Sequence, residues 1–442
     1  MDPSRQKALE ALLLWEKGGS LDLIFQRVVE KEEGLSRKQK AFARELVFGT
    51  ARWLKRLDWT IERLSQRDPR SLNPVVRNAL RIGLYQLCML DRVPEWAAVN
   101  ETVELVKTFG KKEASGFVNA LLRNFCRKKG QLQIDTDDPV KRATVLWSFK
   151  EWLVKRWFRQ FGETEAEKLF EALNKVPPFT IRVNTLKVTR ERLLSELETY
   201  GALPTRFSPV GIVLLYPQGV LESKWFTEGL FQVQDEGAQL VGFLFSPKPG
   251  ERILDLCAAP GGKTTHFAQM MQNQGEIIAV DVSAERIKFL EENCKRLGIK
   301  IVKPLRHDLR TPLPFEPEGF DRVFLDAPCS GLGVIRRNPD LKWRSTPREI
   351  LRLSNLQMRL LLEASRHVKP GGFLMYSTCT LTPEENQGVV EAFLEREKDF
   401  KVIDLKGVFG LESDFFTPEG YFLSLPHLHG TDGFFAALMQ KR

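Results

Sequence analysis

The sequence predicts an α/β protein. A Rossmann-like, doubly wound sheet with an antiparallel edge is preceded by an all-α domain and a small α/β module. Three observations carry this expectation. From about residue 231, apolar runs alternate with amphipathic stretches, the rhythm of parallel strands joined by crossover helices. Residues 1–135 place apolar side chains at helical spacing throughout. Residues 140–230 mix the two periods, and the 442-residue length accommodates three such units.

In the first unit, Leu9, Leu12, Leu13 and Leu21 open the helical pattern. Phe42, Leu46 and Val47, then Trp53, Leu57 and Ile61, continue it, and Phe117, Leu121, Leu122 and Phe125 mark a later helix face. Gly34, the Asn73-Pro74 pair and Pro94 separate the helices. Lys128, Lys129 and Gly130, with the acidic stretch 134–139, read as a linker. In 140–230, two helical pieces carry Trp147, Trp152, Trp157 and Phe161. A strand over 179–187, an amphipathic helix over 190–201 and a strand over 211–217 follow. From 231 the reading is strand 252–260, helix 263–272, strand 277–283, helix 284–298, and strands within 299–309 and 320–328. A long helix near 349–367, a turn at Pro370-Gly371-Gly372 and a strand over 373–379 come next. The segment 421–441 reads as a hairpin adding antiparallel edge strands.

Composition is that of a soluble chain, 43% hydrophobic and 28% charged, with no apolar run of membrane-spanning length. The amino terminus lacks the order of a signal peptide, so the expected compartment is the cytoplasm. None of the six cysteines forms a C-x-x-C pair, which argues against a zinc ribbon and leads us to expect no metal. In a reducing compartment they are free thiols, and Cys88 and Cys126 fall in helical patterns as core residues. Net charge is +9, and residues 1–135 hold 25 Lys and Arg against 17 Asp and Glu. That asymmetry points to nucleic acid, with solvated helix faces as the alternative.

Two strings carry the chemistry: LDAPCSGLG at 325–333 and YSTCTLTPEEN at 376–386. Each ends an apolar strand and delivers a cysteine, Cys329 or Cys379, into the loop beyond it. In an open parallel sheet that is the ligand crevice. The first strand runs into the loop Cys257, Ala258, Ala259, Pro260, Gly261, Gly262, Lys263, where glycines allow a ligand close to the backbone. The loop misses the phosphate-binding pattern G-x-x-x-x-G-K-[ST], because Cys257 stands where the first glycine belongs. Asp255, Asp281, Asp308 and Asp326 end successive strands, and Asp281 lies 19 residues after Gly262, where an acid binds ribose hydroxyls in such folds. Four carboxylates repel a polyphosphate and welcome a cationic nucleoside, so S-adenosylmethionine fits; helix capping is the alternative role for Asp255 or Asp308 singly. Two thiols beside a methyl donor suit one reaction in particular. A thiolate attacks C6 of cytosine, the resulting enamine takes a methyl at C5, and loss of the C5 proton and the thiol follows, with a second cysteine assisting release.

CAAPGGKT, DAPCSG and STCT followed by PEEN resemble the signatures of the RNA 5-methylcytosine methyltransferases of the Nol1/Nop2/Sun group, over roughly 140–442. The resemblance implies a class I methyltransferase domain over 231–442 and an RRM-like module over 140–230. It assigns Cys379 as nucleophile and Cys329 to product release. It also implies donor binding by 257–263, Asp281, Asp308 and Asp326, with Asp326 contacting the target cytosine as well. Residues 92–125 resemble NusB, a helical RNA-binding protein, and this layout implies 16S ribosomal RNA as the substrate. Arg336, Arg337 and Lys342 are expected to contact RNA phosphates, unless 336–343 is a surface turn capped by Asp340. QDEGAQL (234–240) resembles a motif of the group, and Lys263 either orients an acid or touches substrate. The expected state is a monomer. The rival readings are a transfer RNA substrate and an RNA-binding regulator with a relict catalytic domain.

Overall fold

The structure, a computed structural model, describes residues 2–407 and 410–442. The chain divides into two compact units. One holds the chain through Asn174 together with Ile335–Arg344, the other Lys175–Val334 and Ser345–Arg442.

The first unit begins with helices Pro3–Trp15, Arg37–Arg52, Leu54–Ser65, Pro74–Met89, Glu95–Thr108 and Ser115–Lys128. Their starts follow capping chemistry. Asp2 accepts from Ser4 N at 2.9 Å, Ser36 and Gln39 form a reciprocal capping box, and Asn73 accepts from Val75 N ahead of Pro74. Leu9, Leu12, Leu46, Val47, Leu57, Ile61, Leu121, Leu122 and Phe125 form the core, while Leu13, Phe42, Trp53 and Phe117 sit half-buried at its margin. Helices Pro139–Leu146, Glu151–Phe161 and Glu163–Asn174 belong to this unit, although the sequence rhythm groups them with the α/β module that follows. Their packing is aromatic: the Phe149 and Phe170 rings lie 4.9 Å apart and those of Phe149 and Trp157 5.7 Å apart.

The segment Ile335–Arg344 corrects one expectation. Lys342 is fully buried and donates to Arg52 O (3.0 Å), Ser148 O (3.1 Å) and Asn174 Oδ1 (2.5 Å), and it lies 3.9 Å from the Phe149 ring centroid. Burial holds its ammonium well below the usual lysine range. Arg336 is buried too, and Trp343 Nε1 donates to Ala51 O at 2.7 Å. Asp340 is buried as well, accepting from Leu21 N at 3.3 Å, so 336–343 is not a surface turn. Lys342 is an internal fastening of the helical unit, and neither it nor the buried Arg336 is presented to RNA phosphates. Sequence shows their charge, and only packing shows that the charge is covered.

The second unit has two sheets. The smaller is antiparallel, β1 (Phe179–Val183), β2 (Ala202–Pro204), β3 (Gly211–Leu214) and β4 (Phe231–Val233) in the order β2-β3-β1-β4, with helix Arg190–Glu196 and a core of Ile181, Val183, Leu193, Leu197, Ile212 and Phe231. β2 and β4 are three residues each, too short for alternation to declare them. The larger sheet comprises β5 (Arg252–Leu256), β6 (Glu276–Asp281), β7 (Val302–Arg306), β8 (Phe320–Asp326), β9 (Val368–Thr378), β10 (Phe400–Val402), β11 (Phe422–Leu423) and β12 (Phe435–Lys441). Its order is β10-β12-β9-β8-β5-β6-β7, with β11 also on β12. Strands β5 to β9 pair in parallel, and β12 runs antiparallel to β9, β10 and β11.

Alternation along these strands feeds two cores, the sign of a sheet covered on both faces. Ile253, Ala279, Phe324, Met375 and Ala436 meet helices Glu236–Phe245, Gly262–Met270 and Ala284–Leu297. Leu254, Val280, Val323, Leu374 and Ala437 meet helices Pro347–Ser365 and Gln387–Arg396. Two details differ from the sequence reading. β12 is an interior strand, with Phe435, Ala436, Ala437 and Met439 fully buried, and the three-residue β10 forms the edge. Pro370-Gly371-Gly372 lies inside β9 as a bulge, where pairing steps from Phe320–Val368 to Arg322–Phe373.

Candidate active site

Strand order reverses at β5, which is flanked by β6 on one side and β8 on the other. Loops leaving the carboxyl ends of these strands diverge there and open a crevice. Its volume is about 460 Å³, and Cys257, Ala259, Asp281, Asp308, Asp326, Cys329 and Cys379 line it together with Arg286 and His307. Seven of the residues singled out in the sequence thus meet in one cavity. Ala258, Pro260, Gly261 and Gly262 shape the loop without lining the cavity, and Lys263 reaches into it through Asp326.

The loop after β5 is tightly wound. Cys257 has φ +61°, a left-handed conformation sparsely used by non-glycine residues. Gly261 has φ +95°, which calls for glycine, and a Cβ there would also crowd Leu290 Cγ at 3.1 Å. Burial raises the Cys257 thiol, with Asp326 and Asp281 adding to the shift, which makes it an unreactive lining residue. Asp281 ends β6 almost wholly buried and accepts from Ser283 N (2.9 Å), Arg286 Nη2 (2.9 Å) and Ala259 N (3.3 Å). Asp308 sits at the rim, gripped by Arg310 at 2.6 Å, and that hydrogen bond holds its carboxyl at about 2. Asp255 is different. It lies behind the loop, accepts from Thr264 Oγ1 at 2.6 Å, and burial pushes its carboxyl up to about 7. Of the four strand-end aspartates, three face the crevice and Asp255 tethers the loop from within.

Asp326, at the end of β8, pairs with Lys263 Nζ at 2.6 Å. Lys263 is held in turn over the Phe434 ring, 5.2 Å from its centroid. The Cys329 and Cys379 sulfurs lie 3.4 Å apart. The Cys329 thiol is held well above its ordinary value by its hydrogen bond to Cys379 and by burial. The two cysteine loops are stitched together by Ala327 N to Ser377 O (2.8 Å) and Gly333 N to Cys379 O (2.9 Å).

Three contributors went unnoticed in the sequence. Arg182 on β1 is fully buried and donates to Gly262 O (2.6 Å), Thr265 Oγ1 (2.9 Å), Gln269 Oε1 (3.0 Å) and Gln234 Oε1. It fastens the small sheet to the loop-bearing helix, and burial lowers its guanidinium to about 9. An arginine inside the apolar run FTIRV was the available signal. Glu385 and Asn386, quoted only as part of PEEN, lie buried between the cysteine loops. QDEGAQL proves to be a brace: Asp235 Oδ1 accepts from Gly237 N (2.8 Å) and Asp432 N (3.0 Å), and Glu236 Oε1 accepts from Ser208 N (2.8 Å).

Comparison with known proteins identifies this arrangement. Residues 242–440 match 16S rRNA methyltransferase RsmB/F, residues 2–127 match the NusB family, and residues 149–221 match the RsmF/B-like ferredoxin-like domain. A probable ribosomal RNA small subunit methyltransferase B of Bacillus subtilis is 36% identical over 99% of this chain and 98% of its own. The chain belongs to the RsmB/F family of 16S rRNA methyltransferases. That family is S-adenosylmethionine-dependent. Another RsmB/F relative, ribosomal RNA small subunit methyltransferase B of Escherichia coli O1:K1, is 36% identical over 97% of this chain and 96% of its own. Among solved structures, PH0851 superposes with a TM-score of 0.82 at 32% identity, covering 100% of this chain and 99% of that one. NSun6 from Pyrococcus horikoshii, crystallised with SFG, gives 0.59 at 29% identity over 67% of this chain and 99% of that one. The crevice of this RsmB/F chain suits a cationic nucleoside donor: three carboxylates and a glycine-bearing loop line a cavity of ligand size.

Proposed function

We propose that this enzyme methylates C5 of a cytosine in 16S ribosomal RNA through a covalent bond between Cys379 and C6 of the base. The observation that carries the reading is the pair of sulfurs 3.4 Å apart in the crevice that Asp281 and Asp326 line. S-adenosylmethionine, when bound, supplies the electrophilic methyl group. Asp281 would accept hydrogen bonds from its ribose, the 257–263 loop would hold it through Cys257 and Ala259, and Asp308 would close the rim. Asp326, oriented by Lys263, accepts from the amino group of the target cytosine. The base leaves its stack so that both faces of the ring are reachable.

Cys379 attacks as thiolate. Its sulfur bonds to C6, and the ring electrons shift to make C5 nucleophilic. After transfer, a base takes the C5 proton, the C5–C6 double bond re-forms, and the sulfur leaves with the bonding pair. Cys329, kept as a thiol, donates its S–H to the departing sulfur. We further propose three working segments, 1–135 for RNA capture, 140–230 as connecting module and 231–442 for catalysis, in a monomer acting in the cytoplasm, where its six cysteines stay reduced.

The test is transfer of labelled methyl to deproteinised 16S ribosomal RNA with the product base identified. Wild-type protein should yield 5-methylcytosine at one site. Cys379→Ala should abolish turnover, and Cys329→Ala should accumulate a covalent RNA adduct. Full turnover by Cys379→Ala, or no adduct with Cys329→Ala, refutes the reading.

A further inference from the structure

We propose that Glu385 is the positioning residue of the thiol pair: its carboxylate holds the Cys329 and Cys379 loops in register and leaves Cys379 as the sulfur that attacks. The inference rests on the two-cysteine reading above. Glu385 has no exposed surface, yet its oxygens accept from both loops. Oε1 takes Ser330 N at 2.8 Å and Gln357 Nε2 at 3.1 Å; Oε2 takes Ser330 Oγ at 2.5 Å and Thr382 Oγ1 at 2.7 Å. Ser330 follows Cys329 directly, and its hydroxyl lies 2.7 Å from that of Thr380, which follows Cys379. Each cysteine is therefore one residue away from the same carboxylate cluster. Asn386 adds a second clasp, accepting from Thr378 Oγ1 at 2.5 Å and donating to Thr380 O at 3.0 Å.

A buried carboxylate met by several neutral donors makes short, directional, charge-assisted bonds. A neutral core side chain would fill the space without fixing the loops in this way. The charge also acts on the sulfurs. It adds to the hydrogen bond and burial that hold the Cys329 thiol above its ordinary value, while the two sulfurs share one S–H···S contact of 3.4 Å.

The experiment uses the full chain and Glu385→Gln, which preserves size. The amide cannot accept on both sides: with Nε2 toward Ser330 N and the Gln357 amide, donor meets donor, and with Nε2 toward the Ser330 and Thr382 hydroxyls, both hydroxyls must reverse from donating to accepting and the charge that shortens these bonds is gone. Two readouts need no RNA. Diamide takes up the two electrons and two protons released as Cys329 and Cys379 form a disulfide, and that rate reports sulfur placement. Iodoacetamide labelling, read by mass spectrometry, reports which sulfur is nucleophilic. We expect a roughly tenfold slower disulfide, label spread over both cysteines in place of Cys379 alone, and kcat lower by about 10²-fold at unchanged donor KM. Wild-type rates and labelling in Glu385→Gln overturn the proposal. Should that variant fail to fold, Ser330→Ala and Thr382→Val each delete one donor, and both must shift the same two readouts. If the thiol readouts respond while wild-type enzyme makes no 5-methylcytosine, the proposed reaction fails and the positioning role stands.

Discussion

Gly333, the last residue of LDAPCSGLG, makes a demand that can be worked through in ångströms. Its N–H donates to Cys379 O at 2.9 Å, and its own carbonyl accepts from Gly433 N at 2.9 Å. A Cβ at 333 would stand 2.2 Å from Gly433 O, 2.8 Å from Gly433 C and 2.9 Å from Cys379 O. All three are backbone atoms, so no rotamer change relieves the clash. Ordinary carbon–oxygen approach is about 3.3 Å or more, so Gly333→Ala must push one strand-end loop back by about 1 Å. That retreat falls on the Gly433 segment or on the Cys329 loop that carries Gly333, and the Cys379 carbonyl must give by about 0.4 Å as well. Overpacking of this kind destabilises by about 1–3 kcal/mol, and misplacing a reacting group by about 1 Å lowers rate by about 10²-fold. The assay is methyl transfer with donor Kd and thermal unfolding measured on the same sample. We expect kcat to fall about 10²-fold, donor Kd to stay within about twofold, and Tm to drop by a few degrees. Full kcat in a folded Gly333→Ala protein would refute the claim that this contact seats the nucleophile.

Three further outcomes are expected. Lys263→Met leaves Asp326 without its ammonium partner, and kcat should fall about 10²-fold with little change in Tm; an unchanged kcat would mean that Lys263 does not orient the acid. Asp255 has a carboxyl raised to about 7 by burial, so its protonated form favours the folded state below about pH 4, and that contribution is lost as pH rises through about 7. Asp255→Asn should accordingly abolish a fall of up to about 4 kcal/mol between those limits, seen as a flatter Tm against pH, and equal pH dependence of the two proteins contradicts it. Lys342→Met orphans three buried oxygens in the helical unit and should destabilise it by about 2–4 kcal/mol, while leaving the salt dependence of RNA binding unchanged. A smaller salt slope would return Lys342 to the RNA.

Much of this molecule is legible before folding because its signals are local. The parallel strands announced themselves as apolar runs ending in Asp281, Asp326 and Cys379, and helix starts such as Asn73-Pro74 follow from backbone chemistry alone. The crevice residues were findable for the same reason: topology puts strand-end loops together whatever else the chain does. What escaped were residues whose meaning lies in distant partners. Arg182 is an arginine in a short strand until Gly262 and Gln269 close around it. β10 and β12 could not be ordered, since neither strand's sequence states its neighbour.

Sequence by itself therefore determined the fold class and marked the glycine-bearing loop after β5 and the two cysteines that line the crevice, because residue type and spacing suffice to specify strand and turn. Tertiary structure alone decided that Asp255 faces inward while Asp281 and Asp326 face the crevice, that Lys342 is covered, and that Glu385 lies between the cysteine loops. Those are questions of burial and distance, and burial is a property of what packs against a side chain, which charge and hydropathy along one chain do not encode.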